Sequence, residues 1–240
     1  MIELHLLPAG IPGDLDRNRP VVIIDIFRAS TSITAALAAG AAEIWVAGSL
    51  EEAASIKARL GPKAVLAGER GGFKIDGYDL GNSPMEMTSA AVVGRSVIFN
   101  STNGTRLLRR FDPFPYVAVG SLVSLKATVS FITGFSVDPV LCCAGQEGLF
   151  SAEDTLAAGL IISRLGRGKA EMDDAAAFAC RLVELAGDQW RQWARDSEHG
   201  RCLTSIGMGD DLDLCLETDR YDFVPMMTDG RLIHQSSLEK

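Results

Sequence analysis

The sequence predicts an α/β protein with three layers, α/β/α, around a mostly parallel or mixed sheet, and a C-terminal part that is mainly helical. Short runs rich in Val and Ile alternate with segments of helical periodicity, which is typical of βαβ units. Several of these runs are apolar at consecutive positions, as expected for strands covered on both faces. After about residue 150 the pattern becomes mainly helical.

The predicted elements follow one another in chain order. Strands are predicted over residues 2–7, 20–25, 43–47, 64–67, 96–100, 116–119, 139–143 and 223–227. Helices are predicted over residues 30–39, 50–60, 84–92, 104–110, 122–133, 153–164 and 173–186. The helix at residue 84 has the clearest start, because Ser83 can cap it, Pro84 suits its first position and Glu86 its third.

The sequence shows no boundary between domains. No linker rich in Pro, Ser or Gly divides the 240 residues, so we predict a single α/β unit over residues 1–240. Two subdomains, over about residues 1–135 and 136–240, remain an alternative. The content of 47% hydrophobic and 22% charged residues is ordinary for a globular protein and argues against disorder.

Charge and cysteine content restrict the partners. The formal net charge of −8 disfavours binding to nucleic acid and to anionic lipid. No apolar run is long enough for a membrane span, and the N-terminus lacks the basic and apolar regions of a signal peptide. The five cysteines include no CxxC pair, which favours a reducing cytoplasm over disulfides or a zinc site. We therefore expect a cytoplasmic protein with a small-molecule partner, and a homodimer is compatible with this.

Polar residues concentrate in four loops that follow predicted strands, where open α/β sheets bind ligands. In the first loop, Asp25 ends an apolar strand and needs a cation or hydrogen-bond donors if it is buried. Arg28 can grip a phosphate or carboxylate, and Ser30 and Thr31 can cap the next helix. The alternative is that Asp25 and Arg28 only pair with each other and that Ser30 only caps.

Each of the other three loops also allows a functional and a structural interpretation. The loop over residues 67–87 is long, charged and rich in glycine, which favours function over a flexible surface loop. The loop over residues 100–106 has the composition of an anion cradle, or of a tight turn with a cap. In the loop over residues 144–154, the acids Glu147, Glu153 and Asp154 can bind a cation or merely compensate a helix dipole.

Together the loops offer hard oxygen ligands of the kind that Mg²⁺ prefers. These are Asp25, Glu69, Glu147 and Asp154. Arg28, Arg70 and Arg106 can neutralise a phosphoester and a second anionic group. His199 lies in a late polar stretch and is either a proton donor or base, or a surface residue. A dehalogenase-type nucleophile is excluded at Asp25, because Phe27 replaces the second aspartate that this chemistry needs, and Walker A and GxGxxG motifs are absent.

Five motifs, in order and spanning nearly the whole chain, resemble those of the 2-phosphosulfolactate phosphatase family. They are DIFRAST, GERGG, GYDLGNSP, STNGT and AGQEGLFSAED, and the later segments EHG and DRYDFVP also fit. The departures from the family pattern are Ile26 for valine, Tyr78 for phenylalanine and Ser101 for threonine. None of them removes a charged group.

The resemblance implies an α/β/α hydrolase that uses Mg²⁺ to remove phosphate from (2R)-2-phospho-3-sulfolactate, a step that in archaea belongs to coenzyme M biosynthesis. On this basis we predict Asp25, Glu69 and Asp154 as metal ligands, and Asp25, Glu147 and His199 as catalytic residues. The substrate would be held by Arg28, Ser30, Thr31, Arg70, Gly71, Asn82, Ser83, Asn103, Gly104 and Thr105.

Two other functions are compatible with the same loops. One is a phosphotransferase that acts on a sugar phosphate or a nucleotide. The other is a non-catalytic anion-binding protein, against which the clustered acids argue, because without a metal they would weaken anion binding.

Overall fold

The computed structural model describes residues 1–166 and 171–235, and its alternating strands and helices confirm the α/β class. The strands are β1 Glu3–His5, β2 Val21–Ile24, β3 Glu43–Val46, β4 Val65–Arg70, β5 Phe73–Lys74, β6 Ser96–Asn100, β7 Val117–Gly120, β8 Val140–Cys143, β9 Pro225–Thr228 and β10 Arg231–His234. The α-helices are α1 Ala29–Ala38, α2 Leu50–Leu60, α3 Ser89–Val92, α4 Gly104–Arg110, α5 Leu125–Thr133, α6 Ala152–Arg164, α7 Asp174–Ala186, α8 Trp190–Arg195, α9 Glu198–Ser205 and α10 Gly209–Cys215.

The described strands form one mixed sheet in the order β1-β8-β2-β7-β9-β10-β3-β6-β4-β5. It contains two parallel groups, β1-β8-β2-β7 and β3-β6-β4. The hairpin of β9 and β10 lies between the groups and is antiparallel to both neighbours. Strands from before and after residue 135 therefore share one sheet.

Helices cover both faces of the sheet and make the three predicted layers. Val21 and Ile23 of β2 belong to a core that includes residues of α1 and α4, whereas Val22 and Ile24 belong to a core with α5, α6 and α7. The second face of the β3-β6-β4 group packs against α2. Consecutive residues of the strands thus face opposite cores, which explains why the strands are apolar without alternation.

The directions of the two parallel groups decide how the loops can meet. The three antiparallel pairings between β7 and β3 make the β3-β6-β4 group run opposite to β2 within the sheet. Residues of both groups, among them Ile23 and Phe99, belong to one core together with residues of α1 and α4, so both groups pack against this shared helical layer.

Two of the predicted elements need correction, and one strand of the sheet was not predicted. The helix over residues 84–92 is a single 3₁₀ turn, Pro84–Glu86, followed by the short α3. The loop over residues 67–87 is not structureless, because β4 continues to Arg70 and turns into β5 through Gly71 and Gly72, whose φ angles are +58° and +86°. Strand β10 was not predicted. The charged Glu69 can lie in β4 because its carboxylate accepts hydrogen bonds from the backbone N–H groups of Gly72 and Thr102.

The C-terminal part is mainly helical, as predicted. Helices α6 and α7 pack against each other and against the β1-β8-β2 side of the sheet, and α8, α9 and α10 follow them. This arrangement carries the start of α9 and the start of α10 back toward the end of β2. None of the helices in the described ranges is both long enough and apolar enough to cross a bilayer.

Candidate active site

The four polar loops meet in a cleft of about 90 Å³, and α9 closes one side of it. The residues that line the cleft are Asp25, Phe27, Arg28, Glu69, Gly71, Gly72, Asn82, Ser101, Thr102, Asn103, Gln146, Glu147, His199, Cys202 and Leu203. The structure therefore brings Asp25, Arg28, Glu69, Gly71, Asn82, Asn103, Glu147 and His199 of the predicted set to one place.

Asp25 lies at the centre of this arrangement, directly after β2. Its backbone is fixed by α1, because its N–H donates to Ser30 Oγ at 2.9 Å and its carbonyl accepts from Ser30 N–H at 2.8 Å. The side chain is 8% exposed. Burial raises the pKa of the Asp25 carboxyl to about 6, the nearby Glu69 and Glu153 raise it as well, and His199 lowers it. Asp25 thus carries a charge that the described side chains do not fully balance.

Gly104 is the residue against which the Asp25 carboxylate packs. A Cβ atom at Gly104 would lie 2.6 Å from Asp25 Oδ2 and 3.1 Å from Ala29 Cβ. Both contacts are to buried groups that have little room to move. The absence of a side chain at Gly104 therefore allows the start of α4 to pack closely against Asp25 and the start of α1.

Because Asp25 is a predicted catalytic residue, Gly104→Ala is expected to lower kcat about 10- to 100-fold while the protein stays folded, through displacement of the Asp25 carboxylate. Release of phosphate, which is the activity that the sequence motifs predict, and far-UV circular dichroism measure the two quantities. Gly13→Ala is the matched control, since a Cβ atom at Gly13 meets no atom within 4 Å. Unchanged turnover in Gly104→Ala would show that the position of Asp25 does not matter.

Glu69 joins two of the loops. Its Oε1 accepts from the backbone N–H of Thr102 at 2.7 Å, and its Oε2 accepts from that of Gly72 at 2.9 Å. The carboxylate is 8% exposed and lines the cleft. Glu69 thus holds the β4–β5 turn against the loop after β6, and each of its oxygens keeps a further lone pair for a ligand.

Asp154 has a similar bridging position beneath the cleft. Its Oδ1 accepts from Ile26 N–H at 2.9 Å and its Oδ2 from Gly145 N–H at 3.3 Å, so it ties the loop after β2 to the loop after β8. Burial raises the pKa of the Asp154 carboxyl well above its usual range, and Glu153 and Asp25 raise it further. Asp154 is not among the residues that line the cleft.

Arg28 is the only Lys or Arg side chain among the residues that line the cleft within the described chain. Its Nη1 donates to Asp211 Oδ2 at 2.7 Å, and its Nη2 donates to the carbonyl of Gly72 at 2.7 Å. Asp211 belongs to α10 and also accepts from the Ser83 hydroxyl. The ion pair with Asp211 replaces the pairing with Asp25 that the sequence allowed, and it leaves other guanidinium N–H groups for an anion.

The predicted hydroxyl ligands have partners within the protein. Thr31 Oγ1 donates to the Ile26 carbonyl at 3.2 Å, and Thr105 Oγ1 donates to the Ser101 carbonyl at 2.6 Å. Ser30 and Ser83 bond Asp25 and Asp211, as described above. These four hydroxyls do not line the cleft, and they hold the loops that form it. Arg70 is exposed, donates to the Glu69 carbonyl and is not itself among the residues that line the cleft.

Glu147 lies at the mouth of the cleft on the loop after β8. It is exposed, and its φ of +52° places it in the left-handed region. The Asn103 side chain holds this conformation, because Asn103 Oδ1 accepts from Glu147 N–H at 2.9 Å. This hydrogen bond uses the side-chain oxygen of Asn103, whereas the side-chain N–H₂ group stays available to a substrate.

From the sequence, Glu153 could be either a cation ligand or an acid that compensates the helix dipole, and the structure pairs it with His199. Glu153 Oε1 lies 3.3 Å from His199 Nδ1, and Glu153 is 2% exposed. Phe27 packs edge-on against the imidazole at a centroid distance of 6.3 Å. The carboxylate therefore orients His199 toward the cleft. No local spacing could reveal a pair whose members are separated by 46 residues.

The cleft has the donors expected for a magnesium ion. It presents three carboxylates, from Asp25, Glu69 and Glu147, against the single guanidinium of Arg28. The buried Asn82 Oδ1 also has no partner within the described residues. Over residues 1–166 and 171–235, no three His, Cys, Asp or Glu side chains converge closely enough to hold a metal alone. The set therefore fits Mg²⁺ that completes its shell with water and phosphate oxygens, as this ion commonly does.

Comparison with known proteins identifies the family. The family model described as 2-phosphosulpholactate phosphatase matches residues 5–230. A probable 2-phosphosulfolactate phosphatase of Carboxydothermus hydrogenoformans is 36% identical, over 92% of this chain and 92% of the relative. Proteins of the same description from Synechococcus sp. (strain JA-3-3Ab) and Clostridium acetobutylicum are 40% and 31% identical, over 91% and 97% of this chain and 90% and 99% of those relatives. The chain belongs to the 2-phosphosulfolactate phosphatase family, which is a family of phosphatases.

Proposed function

We propose that this protein is a magnesium-dependent phosphatase that hydrolyses 2-phospho-3-sulfolactate, or a closely related 2-phospho-hydroxyacid, to the free hydroxyacid and phosphate. The names of its relatives support the substrate. The free thiols of all five cysteines support a reducing, cytoplasmic setting.

The excess of carboxylates over cations in the cleft carries the proposal of magnesium dependence. A phosphomonoester is a dianion at neutral pH, and Asp25, Glu69 and Glu147 would repel it. The buried carboxyls of this region already repel one another, because Glu153 raises the pKa of both Asp25 and Asp154, and Asp25 raises the pKa of Asp154 as well. A divalent cation bound among these carboxylates would reduce both their mutual repulsion and their repulsion of the phosphoester.

Asp25 would hold the magnesium ion, with Glu69 and Asp154 as the further candidate ligands. Glu69 and Asp154 each use two acceptor positions on backbone N–H groups, and a carboxylate offers about four. When bound, magnesium would neutralise the phosphoryl oxygens and make the phosphorus more electrophilic.

The other residues suit binding and proton transfer. The free N–H groups of Arg28 can bind phosphoryl oxygens, because its ion pair with Asp211 and its bond to Gly72 keep the guanidinium in place. Glu147, at the open mouth of the cleft, would take a proton from an attacking water. His199, oriented by Glu153, would give a proton to the departing alkoxide oxygen.

A phosphate-release assay without any acceptor alcohol tests this proposal. We expect 2-phospho-3-sulfolactate to release free phosphate in the presence of Mg²⁺, and we expect EDTA to abolish the release and added Mg²⁺ to restore it, because the carboxylate-rich cleft binds the dianion poorly alone. Equal rates with and without EDTA would refute the metal dependence. Turnover only after an acceptor alcohol is added would identify a phosphotransferase instead.

A further inference from the structure

A second chamber opens beside the catalytic cleft and is continuous with it. Its volume is about 460 Å³, and it shares Thr102, Asn103 and Glu147 with the cleft. The wall beyond these three residues carries Arg106 and Arg110 of α4. A substrate whose phosphate lies near Asp25 and Arg28 would therefore direct another part of its structure past Asn103 into this chamber.

The two arginines of the chamber differ in what their guanidinium groups already bind. Arg110 donates to the carbonyls of Pro8 and Ile11, so it fastens the N-terminal loop. Arg106 is exposed, and within the ranges 1–166 and 171–235 it makes no hydrogen bond or salt bridge. Arg106 is thus the cation of the chamber that is available to a ligand.

Two further donors point to an anion at the junction of the cleft and the chamber. Thr102 Oγ1 is buried and has no partner among the described residues, which costs stability unless a ligand or water bonds to it. The Asn103 side-chain N–H₂ is free because only its oxygen is used to hold the Glu147 loop. Arg106, Thr102 and Asn103 together offer N–H and O–H donors to a group that has several anionic oxygens.

We propose that Arg106, with Thr102 and Asn103, binds the second strong anion of the substrate, its sulfonate, and thereby selects sulfonated over unsubstituted 2-phospho-hydroxyacids. This subsite rests on the proposed function, because it assumes that the phosphate occupies the cleft beside Asp25. The three residues contribute to binding rather than to the reaction at phosphorus.

A comparison of two substrates tests the subsite. 2-Phospho-3-sulfolactate and 2-phospholactate share the phosphoester and the carboxylate, and only the first has a sulfonate. Arg106→Ala is expected to raise KM for the sulfonated substrate about 10- to 100-fold, the size of one charge-assisted hydrogen bond, with kcat nearly unchanged. Kinetics with 2-phospholactate should change less than about twofold, and Arg106→Lys should recover part of the loss.

Arg109→Ala is the matched control, since Arg109 belongs to the same helix but pairs with Glu52 away from the chamber. It should leave both substrates unaffected. An equal loss on both substrates in Arg106→Ala, or no loss on either, would overturn the proposal.

Binding of the products separates this inference from the proposed reaction. Calorimetry should find that the unaltered protein prefers 3-sulfolactate to lactate, and that Arg106→Ala loses this preference. If the protein keeps the preference but releases no phosphate from either phosphoester, the proposed reaction fails while the subsite stands. If the unaltered protein releases phosphate but binds both products equally, the subsite fails alone.

Discussion

Replacement of Asp25 by asparagine is expected to reduce phosphate release about 100- to 1,000-fold, the size typical of losing a group that stabilises charge at the reacting centre. The amide keeps the shape of the side chain but cannot neutralise or hold Mg²⁺. The effect should appear in kcat at saturating substrate. A loss of activity with magnesium affinity unchanged would contradict the role of Asp25 as a metal ligand.

The same variant should be at least as stable as the unaltered protein when no metal is present. In the folded protein the pKa of Asp25 is raised from 3.8 to about 6, so folding stability falls as the pH rises through this window. The loss is roughly 3 kcal/mol once the carboxyl is ionised. Asparagine does not ionise, so the variant does not lose this stability. Magnesium should raise the melting temperature of the unaltered protein more than that of Asp25→Asn.

Replacement of Arg28 by alanine is expected to lower the free energy of unfolding by about 3–5 kcal/mol, because it leaves the buried carboxylate of Asp211 without its counterion. The side chains of Arg28 and Asp211 are 3% and 5% exposed. Urea unfolding at constant pH measures the change. The variant that remains folded should also bind the phosphoester more weakly, since the guanidinium is the sole Lys or Arg group of the described cleft lining.

Arg181→Ala is the control for this effect. Arg181 pairs with Glu184 on the surface, where both side chains are more than half exposed, and its loss should change stability by less than about 1 kcal/mol. The double variant Arg28→Ala with Asp211→Ala should cost less than the sum of the single changes, because no unpaired charge remains. A loss below about 1 kcal/mol in Arg28→Ala would mean that solvent reaches the pair.

Most of the local structure could be predicted from the sequence. The strands over residues 43–47 and 96–100 and the helices over residues 50–60 and 104–110 lie within a residue of their observed limits. Their apolar periodicity and caps depend on neighbouring residues only. The predicted helix start at Ser83 and Pro84 is confirmed, whereas the turn at Gly71 and the length of the helix after Ser83 differ from the prediction.

The position of the cleft was predicted for a reason that is only partly correct. Polar loops after parallel strands gather at one edge of an open sheet. Here the two parallel groups run in opposite directions within the sheet, and the loops after β2, β4, β6 and β8 nevertheless meet in one cleft. The sequence contains no sign of this reversal, since β10 had no recognised signal and strand order is set by pairing at long range.

The loops that hold carboxylates, arginines and glycines can be identified from the sequence alone, and the ordered motifs in them are those of the phosphatase family. Long-range packing, in contrast, selects which of these side chains reach the cleft and which hold the loops in place. Arg28 pairs with Asp211 across 183 residues, and Glu153 pairs with His199 across 46. Burial is the physical reason for these pairs, because a charged side chain that loses its hydration is costly unless an opposite charge or a hydrogen-bonding group lies next to it. The fold determines which residue that is, regardless of the distance along the chain.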